Sequence, residues 1–176
     1  MKRLLLFPVL LIGFAAVALA GDSEPRTLGA TRLQQFRQNQ KLIEVLVERA
    51  IYLAGDDDHL GRAAHSAVVA ERLVLDLEQA ARDLNAERSV ALAQHLHELL
   101  EQGLAVNFSS ARSHSALNAT AEKRMRLLRD RVASLLEALE ADLRKVNELA
   151  DRQDEIFDHV HAGMQAVDRA VKESPK

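Results

Sequence analysis

The sequence lacks cysteine and tryptophan altogether, and only 3% of its 176 residues are aromatic. Without cysteine there is no disulfide framework, no thiolate metal ligand, no thiol nucleophile and no covalent haem attachment. The shortage of rings leaves little material for stacking on bases or sugars. The chain must therefore build its core from aliphatic side chains.

Proline is also scarce, and none lies between Pro25 and Pro175. Because proline is the residue that most reliably breaks a helix, this long proline-free stretch favours long helices. The sequence therefore predicts an all-α fold. We expect an antiparallel helical bundle of three long helices or four helices with coiled-coil-like seams, over residues 31–172.

The first twenty residues have the pattern of a secretory signal peptide. Lys2 and Arg3 precede an apolar run from Leu4 to Val17, and a small-residue end closes at Ala20. The apolar run is shorter than the roughly 20 residues that span a bilayer, which argues against an uncleaved anchor. We expect cleavage after Ala20, a periplasmic or secreted mature chain of bacterial origin, and no membrane span within it.

Cleavage changes the charge balance. Lys2 and Arg3 leave with the signal peptide, so 21 of the 23 basic residues face 26 acidic ones and the net charge becomes -5. An acidic chain is a poor partner for the phosphate backbone. We therefore expect no nucleic-acid binding.

Residues 21–30 show no periodicity, which indicates a flexible leader. The first helix is expected from about Thr31, and Gly55 followed by three aspartates should end it and cap the next helix. Its apolar residues recur at steps of three and four and predict a buried face: Leu33, Phe36, Ile43, Leu46, Val47, Ala50, Ile51 and Ala54.

The second helix has the most regular pattern of the chain. Its apolar residues alternate steps of three and four without a miss: Leu60, Ala63, Ala67, Ala70, Val74, Leu77, Ala81 and Leu84. This spacing is typical of a coiled-coil seam, and its alanines allow another helix to approach closely. The sequence therefore predicts a protein partner, with a homodimer through the Leu60–Leu84 seam as the specific hypothesis.

Beyond Leu84 the apolar stripe slips by one residue. Either a tight turn lies near residues 85–87, with Asn85 capping a new helix, or one long helix rotates its buried face. We favour the turn. Residues 107–114 are rich in serine and are predicted to form a loop.

The last helix is predicted from about Ser115 to Lys172. Unbroken it would measure on the order of 80 Å, which is too long for a compact bundle, so we expect a bend at residues 151–154. Its apolar stripe is formed by Met125, Leu128, Val132, Leu135, Leu139, Val146, Leu149, Ile156, Val160, Met164 and Val167.

Histidine is the one frequent reactive residue, with seven copies. Side chains two positions apart on a helix point about 200° from one another, so neither His-x-His pair can chelate an ion alone. Histidines that border a core usually keep a nitrogen in water and bind nothing. The alternative is a zinc, copper or nickel site assembled across two helices from His95, Glu98, Asp158 and His161.

Catalytic motifs are absent from the sequence. It has no Gly-x-Ser-x-Gly, no His-Glu-x-x-His, no phosphate-cradling glycine loop, and no Glu-x-x-His of the kind that di-iron bundles use. We expect a non-enzymatic interaction module, an adaptor or a chaperone-like binding protein, with no cofactor. A metal-binding bundle is the alternative, and a small-ligand sensor is a third hypothesis.

Overall fold

Helices account for all the regular structure in the described part of the chain. The computed structural model describes residues 25–114 and 119–172, and over these ranges it contains no strand, which confirms the all-α prediction. The helices are α1 (Pro25–Gly55), α2 (His59–Arg82), α3 (Ala86–Leu99), α4 (Val106–His114), α5 (Ala119–Leu143) and α6 (Ala150–Lys172). A π-helical segment, Leu100–Ala105, joins α3 to α4, and a 3₁₀ turn, Asn147–Leu149, precedes α6.

Helix α1 begins earlier than the sequence predicts. Its first residue is Pro25, so residues 25–30, which we expected in a flexible leader, are helical. Proline is favoured at the first helical position because its fixed φ suits the helix and its missing N–H is not needed there. The predicted signal peptide and residues 21–24 lie outside the described residues.

The turn between α1 and α2 forms as predicted. Asp58 caps α2, because its carboxylate accepts hydrogen bonds from the backbone N–H groups of Leu60 at 3.0 Å and Gly61 at 3.1 Å. These bonds satisfy two of the donors that the first turn of a helix leaves without a partner. The cap fixes where α2 starts and so where the chain reverses.

Helix α2 is the central element of the core. It packs against α1, α3, the π segment, α4 and α5, while α6 packs mainly against α3, the π segment and α5. From Leu60 to Ala81, the residues of the α2 seam are at most 4% exposed. The predicted periodicity thus identifies the core-facing stripe of this helix.

The predicted turn after α2 is confirmed. Asn85 Oδ1 accepts from the N–H of Arg88 at 3.1 Å, which caps α3. On the other side of the turn, the N–H of Asn85 donates to Ala80 O at 2.9 Å and that of Leu84 to Ala81 O at 3.0 Å. This is the bonding pattern of a Schellman motif, and it places Leu84 in the left-handed region at φ 55°.

The prediction of a loop over residues 107–114 is wrong, because α4 covers all of it. The serines misled the prediction, yet a hydroxyl can bond to the carbonyl four residues earlier without leaving the helix, as Ser113 does with Ser109 O at 2.9 Å. Phe108 and Ala111, three residues apart, are both buried in the core. Burial of this face favours the helix.

The last predicted helix is broken, but at a different place from the one expected. The break lies at residues 144–149, between α5 and α6, and not at 151–154. Gln153 stands in the first turns of α6, and its Nε2 donates to the carbonyls of Leu143 and Val146, both at 2.9 Å. The polar side chain in the stripe therefore marks the residue that closes the break rather than the break itself.

Candidate interaction surface

Helix α1 rests on the rest of the molecule through one narrow face. It packs chiefly against α2, where Leu42 reaches the buried core. Arg88 Nη2 donates to Asn39 Oδ1 at 2.9 Å, and the ring of Tyr52 stacks on that of His65, with 5.3 Å between centroids. These contacts fix which side of α1 points inward.

The opposite side of α1 is apolar and uncovered. Besides Tyr52, whose ring stacks on His65, six large hydrophobic residues of α1 are between 38% and 68% exposed: Leu33, Phe36, Ile43, Leu46, Val47 and Ile51. We call this set the outer face of α1. The prediction that this stripe is the buried face of the helix is therefore wrong, because α2 covers the side that carries Leu42. Over the described residues no helix, α1 included, is long and apolar enough to cross a bilayer.

A row of residues with heptad spacing runs along the exposed part of α1. Steps of three and four residues alternate through a row that we call the α1 seam, and all of its members are exposed: Leu33, Phe36, Gln40, Ile43, Val47, Ala50 and Ala54. Such spacing keeps one row of a helix in contact with a second helix over several turns. Among the helices of residues 25–114 and 119–172, none covers this helix-packing surface.

Charged residues flank the α1 seam on its open side. Arg37 and Glu44 each follow a seam residue, and Ile51 continues the same row one heptad later. All three are exposed, and Glu44 Oε1 accepts a hydrogen bond from Gln40 Nε2 at 3.0 Å. A basic and an acidic residue at equivalent heptad positions can direct how a second helix aligns.

The predicted dimer surface on α2 does not exist as a surface. The Leu60–Leu84 seam is covered within the chain, and of its eight residues only Leu84 is exposed, at 53%. Its small residues admit the chain's own helices, so nothing of the stripe remains for a second copy. This partner hypothesis is corrected: the regular seam forms the core, and the less regular stripe on α1 is the open one.

The residues of the alternative metal site are not brought together. His95 Nδ1 lies 3.6 Å from Glu98 Oε2 within α3, whereas His161 Nε2 lies 2.8 Å from Glu140 Oε1 of α5. Asp158 is exposed on α6. Among the described residues no three histidine or carboxylate side chains converge as metal ligands would.

A different pair of histidines does meet between α3 and α6. The rings of His97 and His159 are 5.9 Å apart between centroids and tilted by 41°. This contact was not predicted, because the periodicity of a single helix does not show which residues of two helices meet. The two helices approach closely at Gly163, whose Cα would carry a Cβ only 3.2 Å from His97 Cα. The ring contact is thus part of a tight helix crossing.

A groove between α4 and α6 is the feature closest to the sensor hypothesis. It has a volume of about 390 Å³, and its walls include Val106, Ser109, Ser113, Ala166 and Arg169. It is open to solvent along its length. A ligand pocket usually encloses most of its ligand, which an open groove of this kind does not do.

Comparison with known proteins adds no assignment. No protein-family model matches the sequence, and searches of curated proteins and of solved structures found no significant match. The function must therefore be inferred from the surface itself.

Proposed function

We propose that this protein is an exported, non-enzymatic interaction module that binds a protein partner through the outer face of α1. The observation that carries the proposal is the uncovered apolar row on a helix held by the fold along its other side. Export is supported by the signal-peptide pattern that ends at Ala20.

The energetics favour coverage of this face. Monomeric soluble proteins rarely expose a contiguous apolar patch of more than a few hundred Å², and larger patches mark interaction sites. Burying a Leu, Ile, Val or Phe side chain completely stabilises by about 1.5–3 kcal/mol, so several such residues in one row can drive an association. The α2 seam, by contrast, is already buried within the chain from Leu60 to Ala81.

The heptad spacing supports a helix as the partner's contacting element. In a coiled coil, each seam residue of one helix inserts among four residues of the other, and a mixture of β-branched and smaller residues permits this. Val47, Ile43 and Ala50 supply that mixture at the centre of the α1 seam. We therefore infer that recognition is of the coiled-coil type.

No reaction is assigned in this proposal. The histidines and carboxylates that meet in the described residues do so in ion pairs and ring contacts between or along helices, for example His161 with Glu140. Packing accounts for these contacts without any substrate. The proposal is consistent with the absence of catalytic sequence motifs.

Site-specific photo-cross-linking in the native host tests the proposal. A photoreactive residue at Val47 should give a covalent adduct with another polypeptide, whereas the same residue at Leu127, which is 60% exposed on α5, should give none. Phe36 and Ile51 serve as second and third positions on the face. An adduct pattern equal at Leu127 and on α1, or no adduct at any of the α1 positions, would contradict the proposal.

A further inference from the structure

We infer that the partner seated on the outer face of α1 is a second copy of this chain, with its α1 running antiparallel to the first. This inference rests on the proposed function, because it names the occupant of the same surface. It is carried by the charges beside the α1 seam, which match one alignment of two copies and oppose the others.

The matching alignment follows from coiled-coil geometry. In an antiparallel pair, the first and fourth positions of the heptads meet in mixed layers, so Phe36 lies against Val47 of the second copy and Gln40 against Ile43. The two-fold axis then passes between residues 41 and 42. Each pair occurs twice by symmetry, as a self-complementary interface requires.

The flanking charges select this alignment. With the axis between residues 41 and 42, Arg37 of one copy lies beside Glu44 of the other, and the symmetric contact repeats it. Sliding the pair by one heptad in one direction sets Glu44 against Glu44 of the second copy. Sliding it in the other direction sets Arg37 against Arg37. Like charges placed opposite one another destabilise, so only the first alignment gains from both groups.

A parallel pair gains nothing equivalent. In that arrangement Glu44 would face Asn39 of the second copy, which is uncharged and already accepts a hydrogen bond from Arg88. Gln40 adds to the specificity, because a polar residue within an apolar seam favours the register in which it finds partners. The antiparallel pair brings both Gln40 side chains to the centre, next to the axis.

The surface is large enough for a reversible dimer. The α1 seam covers residues 33–54, which is about 30 Å of helix and three heptads. An interface of this size lies at the small end of the range for specific complexes, so we expect a dissociation constant on the order of micromolar. Every residue it uses is on the exposed side of α1, so pairing requires no rearrangement of the core.

Exchange of the two charges tests the inference directly. Arg37→Glu leaves two acids facing two acids in a homodimer, and Glu44→Arg leaves bases facing bases. Sedimentation velocity of the purified protein should show that each variant alone dimerises on the order of tenfold more weakly than the unmodified chain. An equimolar mixture of the two variants should recover dimerisation, as should the double variant Arg37→Glu/Glu44→Arg, because opposite charges face again.

The control Glu48→Arg changes charge on the same helix but away from the predicted contacts, and should alter the dissociation constant by no more than about twofold.

Three results would overturn the inference. These are a chain that remains monomeric at 100-fold above the expected dissociation constant, single variants that dimerise as well as the unmodified chain, or a mixture no tighter than its components. Flotation of a monomeric chain with anionic phospholipid vesicles would assign the face to a membrane surface instead. If the chain is monomeric yet Val47 still cross-links to another protein in the native host, the second copy is excluded while the proposed interaction function stands.

Discussion

Leu42 and Ile43 are neighbours in sequence, about 100° apart around α1, yet their surroundings differ: Leu42 packs against the core and Ile43 is half exposed to solvent. Both are large aliphatic residues, so their difference in environment comes from the rotation of the helix alone. The pair separates the two roles of α1, which are holding the helix to the fold and presenting a surface.

Truncating each of the two side chains to alanine tests this difference in their contribution to stability. Leu42→Ala should lower the free energy of unfolding by about 1–3 kcal/mol, because it removes apolar contacts from a partly buried site. Ile43→Ala should change it by less than about 0.5 kcal/mol at concentrations where the chain is monomeric, since the side chain has little to lose. Urea unfolding followed by circular dichroism gives both values, and equal losses would show that α1 is not oriented as described.

We expect a substitution at Leu84 to stabilise the protein. It occupies the left-handed position of the Schellman motif at φ 55°, where a side chain costs about 1–2 kcal/mol and glycine costs nothing of this kind. Leu84 is also half exposed, so little packing is lost with its side chain. Leu84→Gly should therefore raise the free energy of unfolding by about 0.5–1 kcal/mol. A decrease on denaturant titration would mean that the exposed leucine has contacts worth more than the backbone strain.

At Gly163 we expect the opposite effect, a substitution that lowers the free energy of unfolding. A Cβ at this position would lie 2.8 Å from Leu100 Cδ1 and 3.2 Å from the backbone of His97, so Gly163→Ala must push α6 away from α3. We expect a loss of about 1–3 kcal/mol in the free energy of unfolding, as is usual for overpacking. Gly55→Ala is the matched control, because a Cβ there meets nothing within 4 Å and should leave stability unchanged or slightly higher. Thermal unfolding of the two variants side by side decides the point, and tolerance of alanine at residue 163 would show a looser crossing.

Removing the side chain of Gln153 should destabilise the break between α5 and α6. Its side chain donates to two carbonyls that the end of α5 and the following turn leave available. Gln153→Ala should destabilise by about 1–2 kcal/mol, since two partly buried acceptors lose their donor. Gln165→Ala, on the exposed side of the same helix, should have almost no effect. Hydrogen exchange of residues 143–150 should accelerate only in the first variant, and unchanged exchange there would remove Gln153 from this role.

The sequence predicted the fold where periodicity and capping agreed. The α2 seam, the Asp58 cap and the Asn85 turn all depend on local rules that the rest of the structure reinforces. The loop over residues 107–114 was mispredicted because serine count is a weak signal, and burial of Phe108 outweighs it. The bend was predicted at residues 151–154, whereas the break lies earlier and the long side chain of Gln153 reaches back to close it.

The interaction surface was predictable only in part. The apolar stripe of α1 was visible in the sequence, but periodicity cannot distinguish a face buried by the chain's own helices from a face left open for a partner. The sequence contains two heptad patterns, and the more regular one, from Leu60 to Leu84, forms the core. Likewise, the pairing of Arg37 with Glu44 between two copies can be inferred only once the α1 seam is known to be exposed.

Cysteine trapping tests the central claim most directly, because the chain has no cysteine of its own and every thiol is one introduced for the purpose. In the double variant Phe36→Cys/Val47→Cys, the two positions are about 16 Å apart along one helix and cannot join within a chain. Our account predicts a covalent dimer under mild oxidation, with tryptic peptides that link position 36 of one copy to position 47 of the other. Recovery of a monomer only, or of links between identical positions, would contradict the antiparallel pairing through the outer face of α1.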